Sequence, residues 1–235
     1  MILNLALNHS IIANVKDGQL IYNASSPDEL ALVNGARYLG ATFKNRDDDN
    51  AIFVEIGGVV EKYELLNVIE FDSTRKRMTV IVRSCKDNVI FVMCKGADSV
   101  LLPLLKDKEN AAVKELVTST FKFMDEYAQD GLRTLLFVEK TITEVQYTTW
   151  MFEFNRASMS LTDRDKEMEK VAELIEKDFT LVGSTAIEDK LQDGVPETIK
   201  LVKKAGIKLW VLTGDKIETA VNIGYSCGLL EDSIS

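Results

Sequence analysis

Two runs of β-forming residues, Ile52-Phe53-Val54-Glu55-Ile56 and Val59-Val60-Glu61-Lys62-Tyr63-Glu64-Leu65-Leu66, are separated only by Gly57-Gly58. A two-residue glycine link supplies the positive φ angles of a tight hairpin and is far too short for a crossover, so the strands must run antiparallel. A second pair, Met78-Thr79-Val80-Ile81-Val82 and Val89-Ile90-Phe91-Val92-Met93, turns at Lys86-Asp87-Asn88. Together these hairpins commit the region around them to an antiparallel sheet.

Helices are expected on that sheet. Residues 1–15 carry the apolar spacing of a short helix, and Leu20-Ile21-Tyr22 reads as a brief strand. A helix then starts with Ser26 at the N-cap, Pro27 at the first helical position and Glu29 three residues after the cap, and ends near Gly40. Residues 107–130 read as a helix stopped by Gly131, residues 132–138 as a strand and 143–177 as charged, helix-rich sequence. Phe179-Thr180-Leu181-Val182-Gly183 returns as a strand. After Glu188 the texture changes to a helix at 192–205, a buried-type strand at 207–212, the loop Thr213-Gly214-Asp215 and a helix at 217–227, the order of a parallel α/β layout. The expected fold class is therefore α+β: an antiparallel sheet flanked by helices over residues 1–187, then a partial parallel α/β segment over 188–235.

Composition narrows the function classes. The chain is 46% hydrophobic and 28% charged, ordinary for a globular protein. A formal charge of −9 argues against nucleic acid as a partner, so any phosphate site must come from a local cluster of basic residues. No apolar run approaches the ~20 residues that cross a bilayer, and Met1-Ile2-Leu3-Asn4-Leu5-Ala6-Leu7 lacks the charged start of a signal peptide. Cys85, Cys94 and Cys227 lack metal-ligand spacing and suit a reducing, cytosolic compartment. His9 and the acidic run Asp47-Asp48-Asp49 are expected to have no chemistry; the run lacks the Gly and distal Glu of a calcium loop.

Several short strings bear two readings each. Ser26-Pro27-Asp28-Glu29 is a capping box, or it offers a carboxylate to an exocyclic amine such as that of adenine. Phe71-Asp72-Ser73-Thr74-Arg75-Lys76-Arg77-Met78 is a solvated polar turn, or an aromatic platform for a base with three cations facing phosphate. Lys95-Gly96-Ala97-Asp98 ends a strand in a solvated lysine, or its small residues let a planar ligand approach the backbone beside a cation. Gly131-Leu132-Arg133-Thr134 carries a surface arginine or a phosphate contact. Thr213-Gly214-Asp215 is a helix N-cap, or a loop beyond the carboxyl end of a strand, where α/β sheets bind ligands.

Taken together, the strings resemble the P-type ATPases, specifically their phospholipid-flippase (type IV) subfamily. The match extends to Tyr22-Asn23-Ala24-Ser25 before the first string, to Leu135, to Glu188-Asp189-Lys190-Leu191-Gln192-Asp193-Gly194-Val195 and to Trp210-Val211-Leu212 before the Thr-Gly-Asp loop, in the family's order across nearly the whole chain. The resemblance implies a nucleotide-binding domain to about residue 187, a hinge at Glu188-Asp189-Lys190, and part of a haloacid-dehalogenase-like phosphorylation domain. It implies that Glu29 contacts the adenine amino group and Phe71 stacks on the ring. Ser73, Lys76 and Lys95 would line the pocket, Arg133 and Thr134 lie toward the phosphates, and Thr213, Gly214 and Asp215 meet the terminal phosphate and Mg2+.

The departures shape the expected function. The family's phosphorylated aspartate sits in an Asp-Lys-Thr-Gly-Thr string, which does not occur here, and the later magnesium loop and the membrane helices are absent too. The chain is expected to be a piece of a larger enzyme, bearing no catalytic residue and no protein metal ligand of its own. It would bind Mg-ATP at the cytoplasmic face of a membrane without turnover. Its partners would be the remaining phosphorylation, actuator and membrane domains of the parent and an accessory subunit. Two other readings stay open: a non-catalytic nucleotide-sensing pseudo-ATPase module, and a protein-interaction domain that has lost nucleotide binding.

Overall fold

The strand β6 (Arg77–Ser84) is buried along nearly its whole length, which a strand achieves only with cover on both faces of its sheet. The computed structural model supplies that cover; it describes residues 1–160, 162–188, 190–214 and 217–231, the side chain of Glu218 apart. Seven strands lie in the order β3 (Ala41–Arg46), β4 (Ala51–Ile56), β5 (Val59–Ile69), β6, β7 (Ile90–Gly96), β8 (Arg133–Ile142) and β9 (Thr180–Ile187). From β3 to β8 every neighbouring pair is antiparallel. Both expected hairpins form: Gly57 and Gly58 take φ of 58° and 82° between β4 and β5, and residues 85–89 join β6 to β7. β3 was not expected.

The N-terminal helix is shorter than its pattern suggests. α1 (Ile2–Leu7) stops early, and the following residues form β1 (Ile12–Lys16), which pairs with β2 (Gln19–Asn23) across Asp17-Gly18 in a separate two-stranded ribbon. α2 (Pro27–Tyr38) follows; α1 and α2 pack on each other and on β3. After β7 come a short helix α3 (Asp98–Leu101), a single 3-10 turn and the long α4 (Ala111–Gln129). The charged stretch after β8 is two helices, α5 (Glu144–Ser158) and α6 (Arg164–Ile175), packed together and pinned where Trp150 Nε1 donates to the carbonyl of Val171 at 2.8 Å. α5 begins with a complete capping box between Thr143 and Gln146.

Residues directly opposed across an antiparallel pair share a face. Met78 lies opposite Lys95 and Lys95 opposite Phe137, so these three project to one side; Arg77 and Thr79 project to the other, with Gly96 and Cys94 opposite them. Val80, Ile81, Val82, Val92, Met93, Leu136, Phe137 and Val138, all 0–1% exposed, form the core around these strands. Each such side chain contributes roughly 1.5–3 kcal/mol by leaving water.

The chain divides into two compact units, Met1–Val113 with Leu136–Gly183, and Lys114–Leu135 with Ser184–Ser235. The second holds most of α4, α7 (Val195–Lys204) and α8 (Ile217–Ser226). There Gly131 takes φ +81° after α4, Asn222 Nδ2 donates to the carbonyl of Gln129 at 3.2 Å, and Lys203 pairs with Glu231 at 2.6 Å. The stretch 207–212, expected as a strand, has no ladder partner among the described residues and leaves Trp210 and Leu212 85% and 96% exposed. An apolar run becomes a strand only where another strand meets its N–H and C=O groups, and among the described residues none does.

Candidate functional site

The carboxyl end of β7 places Lys95 under cover. Its residue is 7% exposed, and its Nζ donates to Glu29 Oε1 and to the carbonyl of Asn8, both at 2.7 Å. Glu29 comes from the first turn of α2, at the position a capping box would use. The box does not form: Ser26 is the N-cap without a side-chain cap bond, and Glu29 turns instead toward Lys95 and Ser10. Ser10 donates to Glu29 Oε2 through its amide at 3.2 Å and its hydroxyl at 2.6 Å. Burial opposes ionisation of Glu29, but the Lys95 ammonium and the Ser10 hydrogen bonds outweigh it and hold the carboxyl below the usual range. For Lys95 the balance tips the other way: burial lowers its pKa, and Glu29 only partly restores it. The result is a desolvated pair whose remaining hydrogen-bonding capacity is small and directional.

The Phe71 string forms a shaped loop tied to the same strand end. Asp72 Oδ1 accepts the amides of Thr74 and Arg75 at 2.7 and 3.1 Å, bonds that depress its pKa, and the Asp72 carbonyl accepts the amide of Lys76 at 2.7 Å. Lys76 takes the left-handed conformation at φ 51°, and its carbonyl accepts the amide of Ala97 at 3.0 Å. This contact explains Gly96. A Cβ there would lie 2.5 Å from the Lys76 carbonyl oxygen and 2.7 Å from Arg77 Cβ, so the small residue makes room for the chain's own loop. Phe71 is 63% exposed at the head of the loop, and Ser73 and Lys76 are exposed beside it.

The three consecutive cations do not act together. Arg75 and Arg77 turn inward onto Glu176, which follows α6 and is 0% exposed. Arg77 reaches Glu176 Oε2 through Nε and Nη2, both at 2.8 Å; Arg75 Nη2 and the Thr79 hydroxyl (2.6 Å) share Oε1. Lys76 alone of the three stands in solvent. The sequence reading of two guanidinium groups facing phosphate is corrected by a carboxylate about a hundred residues away. Glu176 and Ser10 are the residues that pattern reasoning missed, and neither carries a local signal.

The first compact unit thus gathers Glu29, Phe71, Ser73, Lys76 and Lys95. Arg133 and Thr134, half-buried at the start of β8, belong to the second unit, as do Thr213 and Gly214, exposed in the irregular stretch before α8. Asp215 lies outside the described residues. Among the described residues no group of three or more His, Cys, Asp or Glu side chains could hold a metal ion, and no helix is long and apolar enough to cross a membrane.

Comparison with known proteins bears on this arrangement. Residues 3–194 match the family described as P-type ATPase, cytoplasmic domain N. A phospholipid-transporting ATPase of Schizosaccharomyces pombe is 46% identical over 98% of this chain, and one of Saccharomyces cerevisiae 46% over 98%. The human phospholipid-transporting ATPase IC is 47% identical over 97%. The chain spans only 16%, 17% and 18% of the lengths of these three relatives. With a family match over most of its length, and with an antiparallel sheet flanked by helices to go with it, this chain belongs to the P-type ATPases.

Proposed function

We propose that the chain is the ATP-binding part of a phospholipid-transporting P-type ATPase working at the cytoplasmic face of a membrane. The observation that carries this reading is the Lys95–Glu29 pair at the end of β7, a buried lysine against a half-buried carboxylate, with exposed Phe71 on a loop hydrogen-bonded to that same end. Glu29 accepts the adenine amine, Phe71 stacks on the ring, and Ser73, Lys76 and Lys95 line the pocket. Arg133 and Thr134 serve the phosphates, and Thr213, Gly214 and Asp215 the terminal phosphate with its Mg2+. The division at 187/188 separates the nucleotide-binding domain from a hinge and a partial phosphorylation domain.

In the whole enzyme this part presents the γ-phosphate to an aspartate on another segment. An acyl-phosphate intermediate divides one difficult displacement into two easier ones. Domain closure brings the phosphate to the nucleophile and excludes water. The residues of this chain bind and orient; they do not react. Lipid choice, the actuator and any accessory subunit belong to other parts of the parent.

An ATP titration of the chain, with and without Mg2+, tests the proposal. With few contacts the expected Kd is on the order of 0.1–1 mM, about −4 to −5.5 kcal/mol. Phe71→Ala and Lys95→Ala should weaken binding. Phe71 is a surface ring, so its loss should leave stability within about 0.5 kcal/mol, whereas truncating Lys95 strips Glu29 of its cation and costs about 3 kcal/mol. A flat titration of the unmodified chain would favour an interaction domain without nucleotide binding. Covalent transfer of radiolabelled phosphate to the chain would refute its lack of a nucleophile.

A further inference from the structure

His9 is the chain's single histidine and is 1% exposed. Its ring nitrogens bond backbone groups outside the proposed pocket, yet the ring shapes what reaches that pocket. α1 ends in carbonyls that lack helical donors. His9 Nε2 lies 2.9 Å from the Ala6 carbonyl, and Nδ1 accepts the Ile11 amide at 3.2 Å. A ring that donates on one nitrogen and accepts on the other is the neutral imidazole with its proton on Nε2. The ring also meets Phe43 edge-on, centroids 4.5 Å apart. The Asn8 side chain ties the same bend to β7 through the Met93 carbonyl at 3.3 Å.

So wound, the bend delivers three groups to the nucleotide site: the Asn8 carbonyl to Lys95, and the Ser10 amide and hydroxyl to Glu29 Oε2. Counting lone pairs shows the consequence. A carboxylate has about four acceptor positions. Ser10 fills both on Oε2 and Lys95 fills one on Oε1, leaving a single position with a fixed direction. A purine amine can donate there. A purine carbonyl at the same ring position sets oxygen against oxygen at that carboxylate. Were the Ser10 hydroxyl absent, Oε2 would regain an acceptor position and the carboxylate a freedom to turn.

We infer that Ser10 is a positioning residue for base selectivity: held by the His9-centred bend, it fixes Glu29 as an acceptor for adenine over guanine. The inference rests on the reading of Glu29 as the adenine-facing group. Its test measures Kd for ATP and GTP in the unmodified chain, Ser10→Ala and Ser10→Thr, with 15N spectra of the imidazole as a reporter free of overlap.

Ser10→Ala should keep the His9 tautomer signature and the melting curve, weaken ATP roughly 3–10-fold, and shrink the ATP-to-GTP preference. Ser10→Thr, which keeps the hydroxyl, should restore both. An unmodified chain that binds neither nucleotide overturns the ATP reading itself. An unmodified chain that prefers ATP, with a Ser10→Ala chain that keeps the same ratio, overturns the positioning role alone. So does failure of Ser10→Thr to restore the ratio.

Discussion

Replacing Glu176 by alanine is the severest single test of how this site is built. The carboxylate is 0% exposed and receives Arg75, Arg77 and the Thr79 hydroxyl, with both arginine side chains only 10% exposed. Truncation leaves two guanidinium groups and a fully buried hydroxyl facing a cavity without an acceptor. Arg75 Nε already has no hydrogen-bond partner, and without Glu176 the group keeps only Nη1, on the Glu70 carbonyl at 3.2 Å. Breaking a buried ion pair from one side costs about 3–5 kcal/mol, because the orphaned charge stays desolvated. Against a total stability of roughly 5–15 kcal/mol, that is a large fraction. At about 2–4 °C per kcal/mol for a chain of this size, the melting temperature should fall by roughly 6–20 °C.

Glu176→Gln separates charge from shape. The amide keeps the volume and one acceptor oxygen, so it should cost less, about 1.5–3 kcal/mol. The loss should also be felt locally, since Arg75 lies inside the loop that Phe71 heads. Thermal unfolding followed by circular dichroism gives the global effect, and hydrogen exchange at the Thr74 and Arg75 amides gives the local one. If Glu176→Ala melts within 2 °C or so of the unmodified chain, the arginines are not held as described. The account of why only Lys76 faces solvent then falls with it.

Three other perturbations probe separate links. Lys76→Ala should lower ATP affinity more at low salt than at 0.5 M salt, since an exposed cation acts through a screened field of about 10 Å at 0.1 M ionic strength; an adenosine titration should barely change. Gly96→Ala drives a methyl against the Lys76 carbonyl, so it should cost about 1–3 kcal/mol in urea unfolding and weaken ATP by displacing the loop. Burial lowers the pKa of His9 to about 4, against about 6.5 in an unfolded chain, so between those values the unfolded state binds the proton and the folded state does not. Stability should therefore be fully present above pH 6.5 and fall by about 2 kcal/mol from pH 6.8 to 5.0, a slope that His9→Gln should flatten.

What pattern reasoning could read was local. Gly57-Gly58, the turn after Ser84 and the stop at Gly131 announce themselves because turn chemistry is written in adjacent residues. β1 reads as helix because Ile11-Ile12-Ala13-Asn14-Val15 has no decisive period, although Asp17-Gly18 supplies a hairpin signal. β3, Ala-Thr-Phe-Lys-Asn-Arg, is too polar to stand out without its neighbour. The site was legible by residue type and illegible by partner. Glu29 spells a capping box, and Lys95, sixty-six positions on, and Ser10, nineteen back, turn it away from the helix end. His9 carries no pattern that announces a role; its ring holds the Ala6 carbonyl and the Ile11 amide in place.

The charge distribution ties these partners to the expected ligand. A chain of net charge −9 repels an ATP polyanion at long range, so affinity must come from short-range contacts and a few well-placed cations. The fold uses its run of three consecutive cations sparingly: two neutralise Glu176 and brace the loop, and the third stands outside. Lys95 is likewise balanced by Glu29, which leaves the deep end of the site near neutral. A near-neutral, hydrogen-bonded and desolvated end suits an uncharged base, whose amine needs an acceptor and whose ring needs Phe71. Phosphates, by contrast, stay hydrated and favour exposed cations such as Lys76. On the proposed reading the Lys95–Glu29 pair serves the uncharged base, and Lys76, exposed on the loop that Phe71 heads, is the cation left over for phosphate.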